Sequence, residues 1–153
     1  MKKIIIISDT HGLHRSVKLP EGDILIHCGD FLNSGKYFEE VIHYTTWLEE
    51  NMSKYDHVLQ IAGNYEILMQ IQRERVLEHM VSRLGDKFVY LEDETFTIDG
   101  INFYGSPWTP TFYNWAFMLD RGEQIKKKWE EIPEDTHVLI THGPRHGVFD
   151  RCD

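Results

Sequence analysis

Asp9 and His11, a carboxylate and an imidazole two residues apart, stand just past the apolar run Ile4-Ile5-Ile6-Ile7. If the extended backbone continues, residues i and i+2 point to the same side, so both reach one ion. A helix N-cap aspartate beside a surface histidine accounts for the same pair equally well. Gly29-Asp30 closes a second apolar run, where glycine permits a sharp turn that presents the carboxylate. Gly63-Asn64 closes a third and His142-Gly143-Pro144 a fourth. Each alone is an ordinary turn or strand end. Together, Asp, His, Asp, Asn and His form a set of oxygen and nitrogen donors that suits Mn, Fe or Zn, in contrast to a closed cysteine-rich zinc site. One shared carboxylate can bridge two ions roughly 3.5–4 Å apart, an arrangement that clamps the attacking and leaving oxygens of phosphoryl hydrolysis.

The elements that must position these residues are short apolar strands. Residues 3–8, 23–27, 57–62 and 136–141 read as strands, the first with the continuous isoleucine run of a strand covered on both faces. Residues 36–52 repeat Phe38, Val41, Ile42, Thr45, Leu48 and Met52 at helical spacing. Residues 67–84 form a second predicted helix, with Ile71, Val76, Met80, Val81 and Leu84 toward the core and Gly85 as its stop. Residues 88–91 and 94–98 are strands, and Asp99-Gly100 turns the latter into a hairpin with 101–105. Residues 106–113, with Pro107 and Pro110, are expected as loop, and 120–130 as a charged helix with Trp129 facing inward. The predicted class is α/β with mixed character, its ligand site where strand C-termini emerge onto loops.

Composition narrows the function. The chain has 153 residues, which suits one domain spanning 1–153, and a 41% hydrophobic share that builds a core. With 16 Lys+Arg against 25 Asp+Glu the net charge is −9, so nucleic acid is not an expected partner. No apolar run approaches the ~20 residues of a membrane-spanning helix, and the opening Ile4–Ile7 run falls short of the roughly 7–15 residues of a signal-peptide core. Two cysteines, Cys28 and Cys152, make no disulfide framework, and Cys28 reads as a small buried hydrophobe; the expected compartment is the cytoplasm.

Asp9-x-His11, Gly29-Asp30, Gly63-Asn64-x-Glu66 and His142-Gly143 resemble the ordered signature of the calcineurin-like metallophosphoesterases. Gly105-Ser-Pro-Trp-Thr-Pro, Ile132-Pro-Glu-Asp135 and Thr141-His-Gly-Pro144 are similar to a narrower branch, the metallophosphoesterase-domain-containing proteins. The resemblance covers essentially the whole chain. It implies a layered α-β-β-α sandwich with mixed sheets and a binuclear centre of two divalent transition-metal ions, with manganese the ion expected in vitro. It implies hydrolysis of a small phosphoester by hydroxide held on the metals. Asp9 and His11 would serve the first metal, Asp30 the bridge, and Asn64 and His142 the second. Asn64 would also donate its amide to the phosphate, and Glu66 would support the ligands or begin a helix.

Two departures from that pattern bear on activity. Where the family has His after Gly-Asn, this chain has Tyr65. A phenol, with an ordinary pKa near 10, is a weaker acid near neutrality than an imidazole, so the expectation is slow turnover, least so with good leaving groups. The other reading is that Tyr65 only packs. The family's Gly-His-x-His motif also has no counterpart after His142, so a C-terminally shortened sandwich is expected, with His146 the only nearby substitute ligand. A sheet edge left open in this way invites pairing with a second copy, so the reading allows a homodimer.

His14, just after the first motif, reads as a surface residue before one that lines the pocket, and His27 as a core or interface histidine, while His43, His57, His79 and His137 read as structural or surface residues. Trp108, Phe112, Tyr113, Trp115 and Phe117 either pack beneath a loop or wall a pocket that stacks on a nucleobase. Two functions follow from the resemblance and its departures: a phosphodiesterase acting on a small nucleotide-like or aryl diester, or a degenerate metal- or nucleotide-binding or interaction module.

Overall fold

The computed structural model describes residues 2–144. The apolar runs form parallel strands β1 (Ile4–Ile7), β2 (Ile24–Cys28) and β3 (His57–Ile61), joined at the far edge by β4 (Phe88–Tyr90). The four pair in the order β1-β2-β3-β4, so the C-terminal ends of all four lie along one edge. A second sheet holds β5 (Glu94–Ile98), β6 (Ile101–Ser106) and β9 (Val138–Thr141) in that order. β5 and β6 are antiparallel through the Asp99-Gly100 turn, where both residues have positive φ (49° and 79°). β9 runs parallel to β6.

Period-2 alternation in β2 explains the layering. Ile24 and Ile26 face Phe103, Ile140 and Leu91 in a core between the sheets, while Leu25 faces Tyr44, Trp47 and Leu48 in a second core beneath the helices. That outer layer is α1 (Phe38–Asn51), α2 (Ile67–Ile71) and α3 (Arg73–Leu84), with α1 packed on α3. Along the chain between β6 and β9 lie a two-residue parallel pair, β7 (Thr109–Pro110) with β8 (Met118–Leu119), and α4 (Glu123–Glu130). Among the described residues, no helix is long and apolar enough to cross a membrane.

Several expectations are corrected. β1 is not covered on both faces: Ile5 and Ile7 pack on the helix-side core, while Ile6 on the opposite face is 65% exposed, because β1 is an edge strand. The helix predicted over 67–84 breaks at Gln72, whose φ of −136° and ψ of 39° leave the helical region. Ile71, at that break, is exposed, and so is Val81 on the outer face of α3. Residues 106–113 are not all loop, since Thr109 and Pro110 enter the β7–β8 pair. Trp129 does not face inward (37% exposed), and Ile125 is the buried residue of α4.

His14 is also buried, 4% exposed in a 3-10 turn (His14–Ser16) against Tyr44 and Trp47, where the sequence suggests a surface residue. His27 is fully buried, with Nε2 3.1 Å from the Thr10 hydroxyl. Burial, aided by Arg15, lowers His14 to about 4, and burial, aided by His142, lowers His27 to about 3. The unfolded chain, with histidines near 6.5, binds more protons than the native one in this range, so these groups stabilise the fold above about pH 6.5. Their contribution is lost as the pH falls toward 3–4. His27→Leu is therefore expected to lose less melting temperature than the wild type between pH 7 and 5 in metal-free protein. Equal losses in calorimetric scans would contradict this.

Candidate metal centre

The loops after β1 and β2 are joined before any side chain acts. The Asp9, His11 and Gly12 N–H groups donate to the carbonyls of Gly29 (3.0 Å), Asp30 (3.0 Å) and Phe31 (3.2 Å). Asp9 and His11 do not continue the extended strand, because their φ values are 53° and 41°, and Asp30 has φ 55°. Left-handed backbone at non-glycine residues is uncommon and concentrates at functional sites. The two side chains thus converge through a turn, not through the period-2 spacing of a strand.

Glycine is required where the loops meet. A Cβ on Gly29, whose φ is +95°, would fall 2.7 Å from the Gly63 nitrogen. A Cβ on Gly63 would fall 2.3 Å from Asp30 Oδ1 and 2.7 Å from the His142 ring. Behind them the fully buried Glu66 accepts N–H groups from Asp30 (2.8 Å), Leu32 (2.9 Å) and Gly63 (2.6 Å), so one carboxylate fastens the β2 loop to the β3 loop. Burial, together with the charge of Asp30, raises Glu66 to about 7 against the pull of those three donors.

The structure brings all five sequence-predicted donors together. One ligand atom each from Asp9, Asp30 and His142 lies within 4.8 Å of the others. His11 Nε2 is 3.5 Å from Asp30 Oδ2 and 3.8 Å from Asp9 Oδ1. His142 Nε2 is 3.5 Å from Asp30 Oδ1 and 2.9 Å from Asn64 Oδ1. The buried Asp30 therefore has one oxygen toward each histidine. His142 Nδ1–H donates to the Cys28 carbonyl at 2.8 Å, which turns Nε2 toward the carboxylates as a metal ligand requires. His146 lies outside the described residues.

Charge and chemistry fit a metal. Burial alone would lower His142, but the Asp30 carboxylate, the Cys28 carbonyl and Asp9 lift it to about 9. Burial would raise Asp30, but His142, the Tyr65 N–H and His11 hold it below its ordinary value. The oxygens around Nε2 thus draw positive charge, and a divalent cation answers the same demand. Burial, helped by Asp9, pushes the Cys28 thiol up to about 11, so it stays protonated and the donor set is oxygen and nitrogen alone.

Tyr65 sits at the rim. Its N–H donates to Asp30 Oδ1 (2.8 Å), while its ring meets His11 edge-on at 4.6 Å and stacks on Trp115 at 4.5 Å and 21°. The Ala116 N–H donates to the Asn64 carbonyl at 3.0 Å, which ties the aromatic segment to the ligand loop. The sequence marks both aromatics, but their pairing across 50 positions carries no local signal.

Parallel strands that deliver a carboxylate-bridged donor cluster at their C-terminal ends, in a two-sheet sandwich, define a metal-binding phosphoesterase fold. The chain belongs to the calcineurin-like phosphoesterase family, which matches residues 2–151. It is 36% identical over 166 residues to human metallophosphoesterase domain-containing protein 1, covering 97% of this chain and 50% of that protein. A UPF0046 protein of Caenorhabditis elegans is 38% identical over 160 residues, with 97% and 53% covered. The chain thus spans about half the length of these curated relatives. A crystal structure 14% identical in sequence superposes with a TM-score of 0.58 over 96% of this chain and 71% of its own, a likeness of fold.

Proposed function

We propose that the chain is a metal-dependent phosphodiesterase acting on a small nucleotide-like or aryl phosphodiester. The observation that carries this reading is the convergence of Asp9, His11, Asp30, Asn64 and His142, from four strand ends, around one buried carboxylate. Two divalent ions of manganese, iron or zinc would supply Lewis acidity and a water acidified enough to attack phosphorus near neutral pH. Asp9, His11 and Asp30 would hold one ion, and Asp30, Asn64 and His142 the other. With Oδ1 of Asn64 turned to His142, its amide NH2 is left to donate to a phosphoryl oxygen. The Tyr65 ring, packed between His11 and Trp115, steadies the His11 ligand and begins an aromatic wall for a base or aryl group. A phenol held in such a stack is a poor proton donor to the leaving group, so good leaving groups react best.

The test is hydrolysis of bis(p-nitrophenyl) phosphate by protein loaded with manganese, iron or zinc. Metal-stimulated release of p-nitrophenol is expected, and Tyr65→His should accelerate alkyl esters more than aryl esters, by up to roughly 10²-fold. No hydrolysis with any of the three metals would overturn the reading. The replacement of a histidine acid by a stacked tyrosine favours one second reading, a nucleotide-binding module stabilised by ligand without turnover.

A further inference from the structure

Asp9 and His11 reach the centre through left-handed backbone, and the residue between them is turned into the protein. Thr10 is buried, where Asp9 is exposed and His11 half-buried. The N–H groups of Asp9, His11 and Gly12 are bonded to carbonyls of the β2 loop, and that of Thr10 is not. Its side chain makes the link instead. The Thr10 hydroxyl shares a buried hydrogen bond of 3.1 Å with Nε2 of His27.

His27 is a firm anchor for that bond. It lies within β2, in register with Ile7 of β1, and is fully buried. Its ring meets Phe31 edge-on at 5.9 Å and Tyr44 edge-on at 5.7 Å. Nδ1 has no partner among the described residues, so the bond to Thr10 is the one hydrogen bond of the ring there. With Nε2 taken by Thr10, the imidazole acts on the centre through that bond and not as a ligand. Left-handed backbone at non-glycine residues persists only where the surroundings over-determine it. Two such residues flank Thr10, and both carry metal-ligating side chains. Fixing the residue between them fixes the direction of both.

We propose that His27 is a positioning residue of the metal centre, setting through the Thr10 hydroxyl the turn that brings Asp9 and His11 to one ion. Asn64 and His142 arrive on other loops, so the ion they serve does not depend on this bond. The proposal rests on the metal-dependent reading above and adds to it the residue that orients one ion's ligands.

Thr10→Val removes the hydroxyl at similar size, Thr10→Ser keeps it, and His27→Leu removes its partner. Manganese titration of the full chain, with free ion read by electron paramagnetic resonance, gives the affinity of each ion. In Thr10→Val and in His27→Leu one affinity should fall about 10- to 100-fold while the other stays within about threefold. Thr10→Ser should hold both near wild type. The double variant Thr10→Val/His27→Leu should lose no more than the larger single loss, because both substitutions break one bond. Equal weakening of both ions, or losses that add in the double variant, would mark a general loosening of the fold and overturn the proposal. Affinities unchanged in Thr10→Val overturn it too and leave the metal centre standing. If the wild type holds a single ion, weakening in Thr10→Val but not in Thr10→Ser supports the proposal, and any other pattern overturns it. A wild type that binds no manganese, iron or zinc overturns the metal centre and the proposal together. Should His27→Leu fail to fold, the contrast between Thr10→Val and Thr10→Ser decides alone.

Discussion

Asp30→Ala is expected to lower metal-stimulated diester hydrolysis by roughly 10³-fold or more, because it removes the buried carboxylate that has one oxygen toward each histidine. Asp30 Oδ2 lies 3.5 Å from His11 and Oδ1 3.5 Å from His142, so its loss weakens both halves of the centre at once. The fold should survive better than the activity. The backbone around Asp30 keeps its own partners, with its N–H on Glu66 and its carbonyl on the His11 N–H. A melting temperature close to wild type beside lost hydrolysis is therefore expected. Activity within about tenfold of wild type would show that Asp30 does not bridge the ions.

Glu66→Ala is expected to have the second largest effect, and here stability and activity should fall together. The substitution strands three N–H groups, those of Asp30, Leu32 and Gly63, in a fully buried position. An unsatisfied buried donor costs about 1–3 kcal/mol, so three put the loss at about 3 kcal/mol or more, or roughly 10 °C in melting temperature for a domain of this size. Metal affinity should fall about 10- to 100-fold, because Glu66 holds the ligand loops in register. Glu66→Gln keeps one acceptor oxygen and should lie between the two. Thermal denaturation and metal titration of both variants give the check; an unchanged melting temperature in Glu66→Ala would contradict the loop-fastening role.

The strand ends were legible in the sequence because β2 and β3 are buried on both faces and therefore read as mainly apolar runs, with only His27 and Gln60 as buried polar members, that stop at polar residues. Placing Asp9, Asp30, Asn64 and His142 at those stops needed no knowledge of pairing partners. The order of the strands then puts the first three stops along one edge, while His142 arrives from β9 of the second sheet. What the sequence left unread depends on contacts from far along the chain. The break at Gln72 has no proline or glycine to mark it, and the short helix before it is tied down by a bond from the Leu68 N–H to the Gly35 carbonyl. His14 is buried only because Tyr44 and Trp47 of α1 close over it. The exposed Ile6 looked like core because an edge strand and a central strand share one composition when their neighbours are unknown. At the site, the convergence of Asp9 and His11 through left-handed backbone lay beyond what period-2 reasoning represents.

The most direct test of the account counts manganese ions per chain after chelation and reloading, by elemental analysis of wild type and Asp30→Ala. Two ions are expected in the wild type and at most one, weakly held, in Asp30→Ala. A wild-type chain that retains no ion, or an Asp30→Ala chain that retains both, would contradict the claim that the four strand ends build a metal centre around one shared carboxylate.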